Sequence, residues 1–239
     1  MSDLVVITGA SSGLGLALAR TVPFPAHVVD ISRSGPPDDT ITHIAADLSD
    51  PTVWEKVGAH IAGLVSDHQP ERAVFIHGAG TLSPIGFAGE VDTGVYAGNV
   101  MLNSASGQVL GHLFLEAVHG RPGTFDLVMI SSGAASSVYA GWTSYGAGKA
   151  ALDQWVRNAG AEQKERGGVR VSAIAPGVMA TAMQEEIRVT EESDFPKVDR
   201  FQALHDDGVL VEPGDAAQRI WQAIERGLEP GSVIDIRDL

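Results

Sequence analysis

The 239-residue sequence contains no cysteine. That absence excludes a disulfide framework, a thiolate metal site and a cysteine nucleophile. Basic residues are also scarce: 16 Lys+Arg stand against 30 Asp+Glu, a formal net charge of −14. A surface of that sign repels phosphate backbones and argues against a general nucleic-acid binder. Only four basic residues are lysines, namely Lys56, Lys149, Lys164 and Lys197, so a lysine at any chosen place is informative. Long apolar runs are missing too. The run over residues 4–7 is far too short for a signal peptide or a membrane span, and Met1-Ser2-Asp3 has no basic n-region. A cytoplasmic protein with no membrane partner is the expectation. Charged residues make up only 19% and hydrophobic ones 44%. This excludes a disordered chain and suits one domain, 1–239, with a sizeable core.

Short β-branched apolar runs alternate with helical stretches. Strands are expected over 4–7, 26–31, 41–46, 73–77, 125–130, 169–174 and 232–236. Helices are expected over 14–21, from Asp50-Pro51 to about 67, over 93–119 (one piece or two), and over 144–166 and 213–227. Such alternation means right-handed crossovers and a parallel sheet with helices on both faces, an α/β doubly wound architecture. Residues 178–212 break the rhythm. They are charged, with scattered apolar residues, and an excursion after a strand's carboxyl end lies over the ligand crevice in this architecture. A substrate lid is expected there.

The first strand runs into Thr8-Gly9-Ala10-Ser11-Ser12-Gly13-Leu14-Gly15. Gly9 allows a sharp turn, Gly13 a close backbone approach to a pyrophosphate, and Gly15 close packing of the helix on the sheet. Free N–H groups at the helix start then attract phosphate. Further on, Tyr145-Gly146-Ala147-Gly148-Lys149 places a phenol and an ammonium four residues apart, on one helix face. With three tyrosines and four lysines, such a pair is expected by chance about 0.05 times. An ammonium near a phenol favours the phenolate, so a lowered tyrosine pKa and proton transfer near neutral pH are expected.

The spacing T-G-x-x-x-G-x-G with Y-x-x-x-K resembles the short-chain dehydrogenase/reductase family, and the resemblance spans nearly the whole chain. It implies a Rossmann-type sheet of order 3-2-1-4-5-6-7. It also implies a catalytic serine thirteen residues before Tyr145, which is Ser132, with Ser131 as the neighbouring alternative. The stretch Asn99-Val100-Met101-Leu102-Asn103 resembles the segment ending in a catalytic asparagine. Asn103 would hold a water that links Lys149 to solvent, and Asn99 competes for that role. Pro176-Gly177-Val178-Met179-Ala180-Thr181 resembles the P-G-x-x-x-T stretch beside the nicotinamide and pyrophosphate. Asp47, followed by Leu48, matches the adenine-contacting aspartate. One departure stands out: the usual N-A-G after the fourth strand reads Gly78-Ala79-Gly80, preceded by His77. A local structural change is expected there, with His77 a polar strand-end residue rather than a base.

The nicotinamide cofactor depends on the end of the second strand, Asp30-Ile31-Ser32-Arg33-Ser34. Asp30 fits the acid that binds a ribose 2′-hydroxyl. If the strand continues through Ile31, however, the discriminating position is Ser32. Ser32 cannot repel a 2′-phosphate, and Arg33 can grip one. NADP(H) is therefore expected. Softer features resemble the sepiapterin reductase and bacterial benzil reductase group: Ile130-Ser131-Ser132-Gly133-Ala134, Gly141-Trp142, Met183-Gln184, Ile187-Arg188 and Asp199-Arg200-Phe201. They imply a small-molecule substrate, an activated ketone or vicinal diketone, with Ser132, Tyr139, Trp142, Tyr145, Met179 and Met183 as pocket walls. No metal is implied. A 3-oxoacyl-carrier-protein reductase, an NAD-dependent alcohol dehydrogenase and a non-catalytic nucleotide sensor are the rival readings. The resemblance also implies a homodimer or homotetramer through helices 93–119 and 144–166.

Overall fold

A computed structural model describes residues 3–238. Seven parallel strands form one sheet in the order β3-β2-β1-β4-β5-β6-β7. They are β1 (Asp3–Thr8), β2 (Ala26–Ser32), β3 (Thr42–Ala45), β4 (Arg72–His77), β5 (Thr124–Ile130), β6 (Arg170–Ala175) and β7 (Val233–Asp235). The central strands read as continuous apolar runs because both faces are covered. Val5, Val6 and Ile7 of β1 and Val74, Phe75 and Ile76 of β4 have no solvent exposure.

On one face lie α2 (Trp54–His68), α4 (Ser106–Val118) and α5 (Thr143–Arg166). Phe75 and Phe114 stack there at 5.4 Å. The other face carries α1 (Gly13–Arg20) and α8 (Pro213–Arg226). Trp221 Nε1 of α8 donates to the Leu18 carbonyl of α1 at 3.0 Å and ties these two helices together. Asp50 caps a short 3₁₀ turn, Pro51–Val53, that leads into α2, by accepting from the Thr52 N–H at 2.9 Å. α5 stops at Gly167, where φ is +63°.

Two regions carry detail that the sequence does not show. The stretch over 93–119 is α3 (Thr93–Val100), a π-helical turn (Met101–Ala105) and then α4. The excursion over 178–212 holds two short helices, α6 (Ala182–Arg188) and α7 (Val198–Asp206). Their apolar residues Ile187, Val198 and Phe201, with Phe195 between the helices, pack on Trp142 and Tyr145 as a satellite core. Among the described residues no helix is long and apolar enough to cross a membrane.

Sheet order reverses between β1 and β4. A crevice therefore opens at the carboxyl ends of these strands, where their connections diverge to opposite faces.

Candidate active site

A cleft of about 790 Å³ occupies that crevice. Its floor is the turn after β1. Gly9 has φ +78°, and a Cβ there would meet the Ala79 Cα at 2.9 Å. A Cβ on Gly15 would collide with the Gly9 carbonyl. Glycine is required at both places. Ser12 adopts an extended conformation at the N-cap of α1 and makes no side-chain cap bond. The first intrahelical bond runs from the Leu16 N–H to Ser12, which leaves the N–H groups of Gly13, Leu14 and Gly15 without intrahelical partners. All three residues line the cleft, together with Ser11 and Ser12. This cradle fits a dinucleotide pyrophosphate.

At one end of the cleft lie Ser32, Arg33, Asp47 and Leu48. β2 extends through Ser32, so Asp30 falls inside the strand and is fully buried. Its carboxylate is already engaged. Oδ1 accepts from the Ala10 N–H at 2.7 Å, and Oδ2 takes the Ser32 hydroxyl at 2.6 Å and His43 Nδ1 at 2.9 Å. Arg33 is exposed. Asp47 Oδ1 accepts the Ser49 N–H and hydroxyl at 3.0 and 2.7 Å. These bonds, with a smaller effect from the Arg33 charge, hold the Asp47 carboxyl below its ordinary pKa.

Tyr145 and Lys149 project from one face of α5 into the middle of the cleft, opposite Gly78, Ala79 and Gly80. Both are buried. Lys149 Nζ donates to the Ile130 carbonyl at the end of β5, 2.8 Å away. Burial lowers its pKa to about 8, against the opposing charge of Asp153 one turn further on. Asp153 is buried as well, and its Oδ1 has no partner. Burial pushes the Tyr145 phenol above its ordinary value, with the Ser132 hydroxyl acting in the other direction. The sequence predicts a lowered phenol pKa. Desolvation wins because the phenolate is taken fully out of water and Lys149 Nζ sits 5.9 Å from the ring centroid. Ser132 and Ser131 both line the cleft. Ser132 Oγ accepts from the Ala134 N–H at 3.1 Å.

Asn103 lies one layer behind the cleft, in the π turn. Its Oδ1 accepts from the Thr81 N–H at 3.0 Å, and its Nδ2 donates to the Thr81 carbonyl at 2.7 Å and to Asn99 Oδ1 at 2.9 Å. Asn99 Nδ2 reaches the Ser83 carbonyl at 2.9 Å. Both asparagines therefore brace the loop after β4. A Cβ on Gly80 would stand 2.9 Å from Asn103 Oδ1 and 3.7 Å from Lys149 Nζ, so this glycine keeps open the space between the two. Gly78 fits closely, its N–H bonded to the Thr8 carbonyl at 3.1 Å. Thr8 and His77 make the brace between β1 and β4, with Thr8 Oγ1 3.0 Å from His77 Nδ1.

The far wall holds Pro176, Gly177, Val178, Met179 and Thr181, and beyond them Met183. Here Tyr139, Trp142, Phe195 and Phe201 form an aromatic cluster. Trp142 stacks on Phe195 at 4.5 Å, lies 4.9 Å from Tyr139 and meets Tyr145 edge-on at 5.6 Å. Met183 packs on this cluster, whereas Met179 packs on the α1 and α8 face. Trp142 Nε1 and Gln184 Oε1 are buried without partners. The sequence reading of the pocket overlooks Leu82, Gln184, Asp235 and Arg237, which also line the cleft. The last two follow from their place at the carboxyl end of β7.

A family model described as short chain dehydrogenase matches residues 3–192. A benzil reductase ((S)-benzoin forming) from Bacillus subtilis is 32% identical over 240 residues, covering 99% of each chain. A sepiapterin reductase from Rattus norvegicus is 30% identical over 255 residues, covering 98% of this chain and 96% of the relative. A solved short chain dehydrogenase/reductase from Saccharomyces cerevisiae superposes with a TM-score of 0.85 at 22% identity, covering 99% of this chain and 96% of that one.

Proposed function

The chain belongs to the short-chain dehydrogenase family, and from that premise we propose that it is an NADPH-dependent carbonyl reductase acting on activated ketones or vicinal diketones. The family makes it an oxidoreductase of carbonyl and CH–OH groups. The finer reading is carried by one observation: Tyr145 and Lys149 stand buried side by side in a cleft that also holds the glycine cradle and an aromatic wall. Likeness to benzil and sepiapterin reductases along almost the full chain supports the substrate class.

The bound nicotinamide would supply the hydride. Gly9, Ser11, Ser12, Gly13, Leu14 and Gly15 would hold its pyrophosphate, Asp47 and Leu48 its adenine, and Gly78, Ala79, Gly80, Pro176, Gly177, Val178 and Thr181 the remainder. Tyr145 gives a proton to the substrate oxygen as the carbonyl becomes an alcohol, its phenol being the protonated form at neutral pH. Ser132 orients the same oxygen. Lys149 supports Tyr145 and the nicotinamide ribose and returns a proton through a water between Nζ and Asn103. Trp142 and Tyr139 wall the pocket against a flat conjugated substrate.

NADPH is favoured because Asp30 is consumed inside the fold while Ser32 and Arg33 face the cleft. The test is the ratio of kcat/KM for NADPH and NADH with benzil as acceptor. A ratio well above one that collapses in Arg33→Ala is expected. A preference for NADH overturns the cofactor assignment.

A further inference from the structure

The excursion over 178–212 carries nine carboxylates and three basic residues, Arg188, Lys197 and Arg200. None of those carboxylates lines the cleft, whereas Arg200 does. In a chain of net charge −14, the acid-rich segment thus turns a cation toward the substrate end. Among the described residues Arg200 makes no ion pair. Its side-chain hydrogen bond runs from Nη1 to the Tyr139 hydroxyl at 3.1 Å, and its other donors are uncommitted. The neighbouring Arg237 is different: it clasps Asp235 through bonds of 2.8 and 2.6 Å and is neutralised there. That pairing also consumes the one carboxylate lining this end of the cleft.

We propose that this end of the cleft selects ketones that carry a carboxylate, with Arg200 as the residue that receives it. The inference rests on the carbonyl-reductase reading and narrows its substrate class. Trp142 meets Tyr145 edge-on at 5.6 Å, Tyr139 lies 4.9 Å beyond Trp142, and Arg200 sits at the far edge of Tyr139. Two aromatic rings therefore separate the proton donor from the guanidinium. The carboxylate that Arg200 receives is therefore taken as one across an aryl ring from the reacting carbonyl, rather than one directly beside it. The flat ring lies along the aromatic wall, and the guanidinium pairs with the carboxylate.

The matched pair benzil and 4-carboxybenzil tests this with NADPH. In the wild type, kcat/KM for 4-carboxybenzil exceeds that for benzil by about two- to fivefold, the scale of one ion pair to an exposed guanidinium. The gain lies mainly in KM and shrinks as salt is raised. Arg200→Gln brings the ratio close to one. Tyr139→Phe, which removes the hydroxyl that Arg200 holds, retains the preference. A wild-type ratio of one or less overturns the proposal, as does a ratio that survives Arg200→Gln. So does a Tyr139→Phe variant that loses the preference as fully, since Arg200 would then act only by holding Tyr139. If neither compound is reduced, the carbonyl-reductase reading itself fails, an outcome distinct from equal reduction of both.

Discussion

Acid is expected to destabilise this fold through His77. The imidazole has no solvent exposure. Thr8 Oγ1 accepts the N–H groups of Gly78 and Ala79, both at 3.1 Å, so its own hydrogen points to His77 Nδ1 at 3.0 Å. Nδ1 is thereby an acceptor, and the ring proton resides on Nε2, which faces the Ser106 hydroxyl at 3.4 Å. Protonating Nδ1 breaks that arrangement. Burial and then the Lys149 charge lower the His77 pKa from 6.5 to about 3. The folded pKa lies below the unfolded one, so its stabilising contribution is present above pH 6.5 and is lost as pH falls toward 3. Between about pH 7 and pH 5 the linkage amounts to about 2 kcal/mol, a large share of an ordinary stability of about 5–15 kcal/mol. Urea unfolding of wild type and His77→Asn at both pH values, with ionic strength and protein concentration fixed, isolates this contribution. Carboxylates and His27, whose pKa is lowered by burial and by its stacking partner His68, affect both proteins alike. The wild type is expected to lose about 2 kcal/mol more than the variant on acidification. Equal losses refute the assignment of His77 as a buried neutral acceptor.

Two further outcomes follow from the same geometry. Asp153→Asn removes the charge that opposes the lowering of the Lys149 pKa. The alkaline fall in kcat then moves to lower pH, on the order of one unit, and Asp153→Glu restores it; an unmoved profile shows that Asp153 does not support Lys149. Gly15→Ala forces a Cβ onto the Gly9 carbonyl, at a cost of about 1–3 kcal/mol. Fluorescence titration should show NADPH affinity falling with it, and unchanged affinity contradicts the cradle.

Much of the fold is legible in the sequence because parallel strands buried on both faces write themselves as unbroken apolar runs. The glycine turn is legible for a similar reason, since its steric demands admit only glycine at Gly9 and Gly15. The direction of the Tyr145 shift is not legible, because local spacing shows the ammonium four residues away and cannot show that both groups are sealed from water. The π turn at Met101–Ala105 is not legible either; it packs closely on α5, where a Cβ on Gly148 would stand 3.0 Å from the Asn103 Cβ. α6 and α7 escape notice for want of length. Each carries only a few apolar residues, whose partners Trp142 and Tyr145 lie some forty or more residues earlier in the chain. Asp30 shows both sides. Its acidity invites an NAD reading, and only the tertiary partners Ala10 and His43, together with Ser32, reveal that the carboxylate is already engaged.

In the proposed reaction Tyr145 delivers the proton, and the cofactor cradle acts independently of it. NADPH binding and single-turnover benzil reduction, measured side by side on wild type and Tyr145→Phe, test this most directly. The variant is expected to keep nearly unchanged NADPH affinity, with the reduction rate lower by about 10²–10⁴-fold. A Tyr145→Phe protein that reduces benzil within a few-fold of the wild-type rate contradicts the Tyr145 assignment.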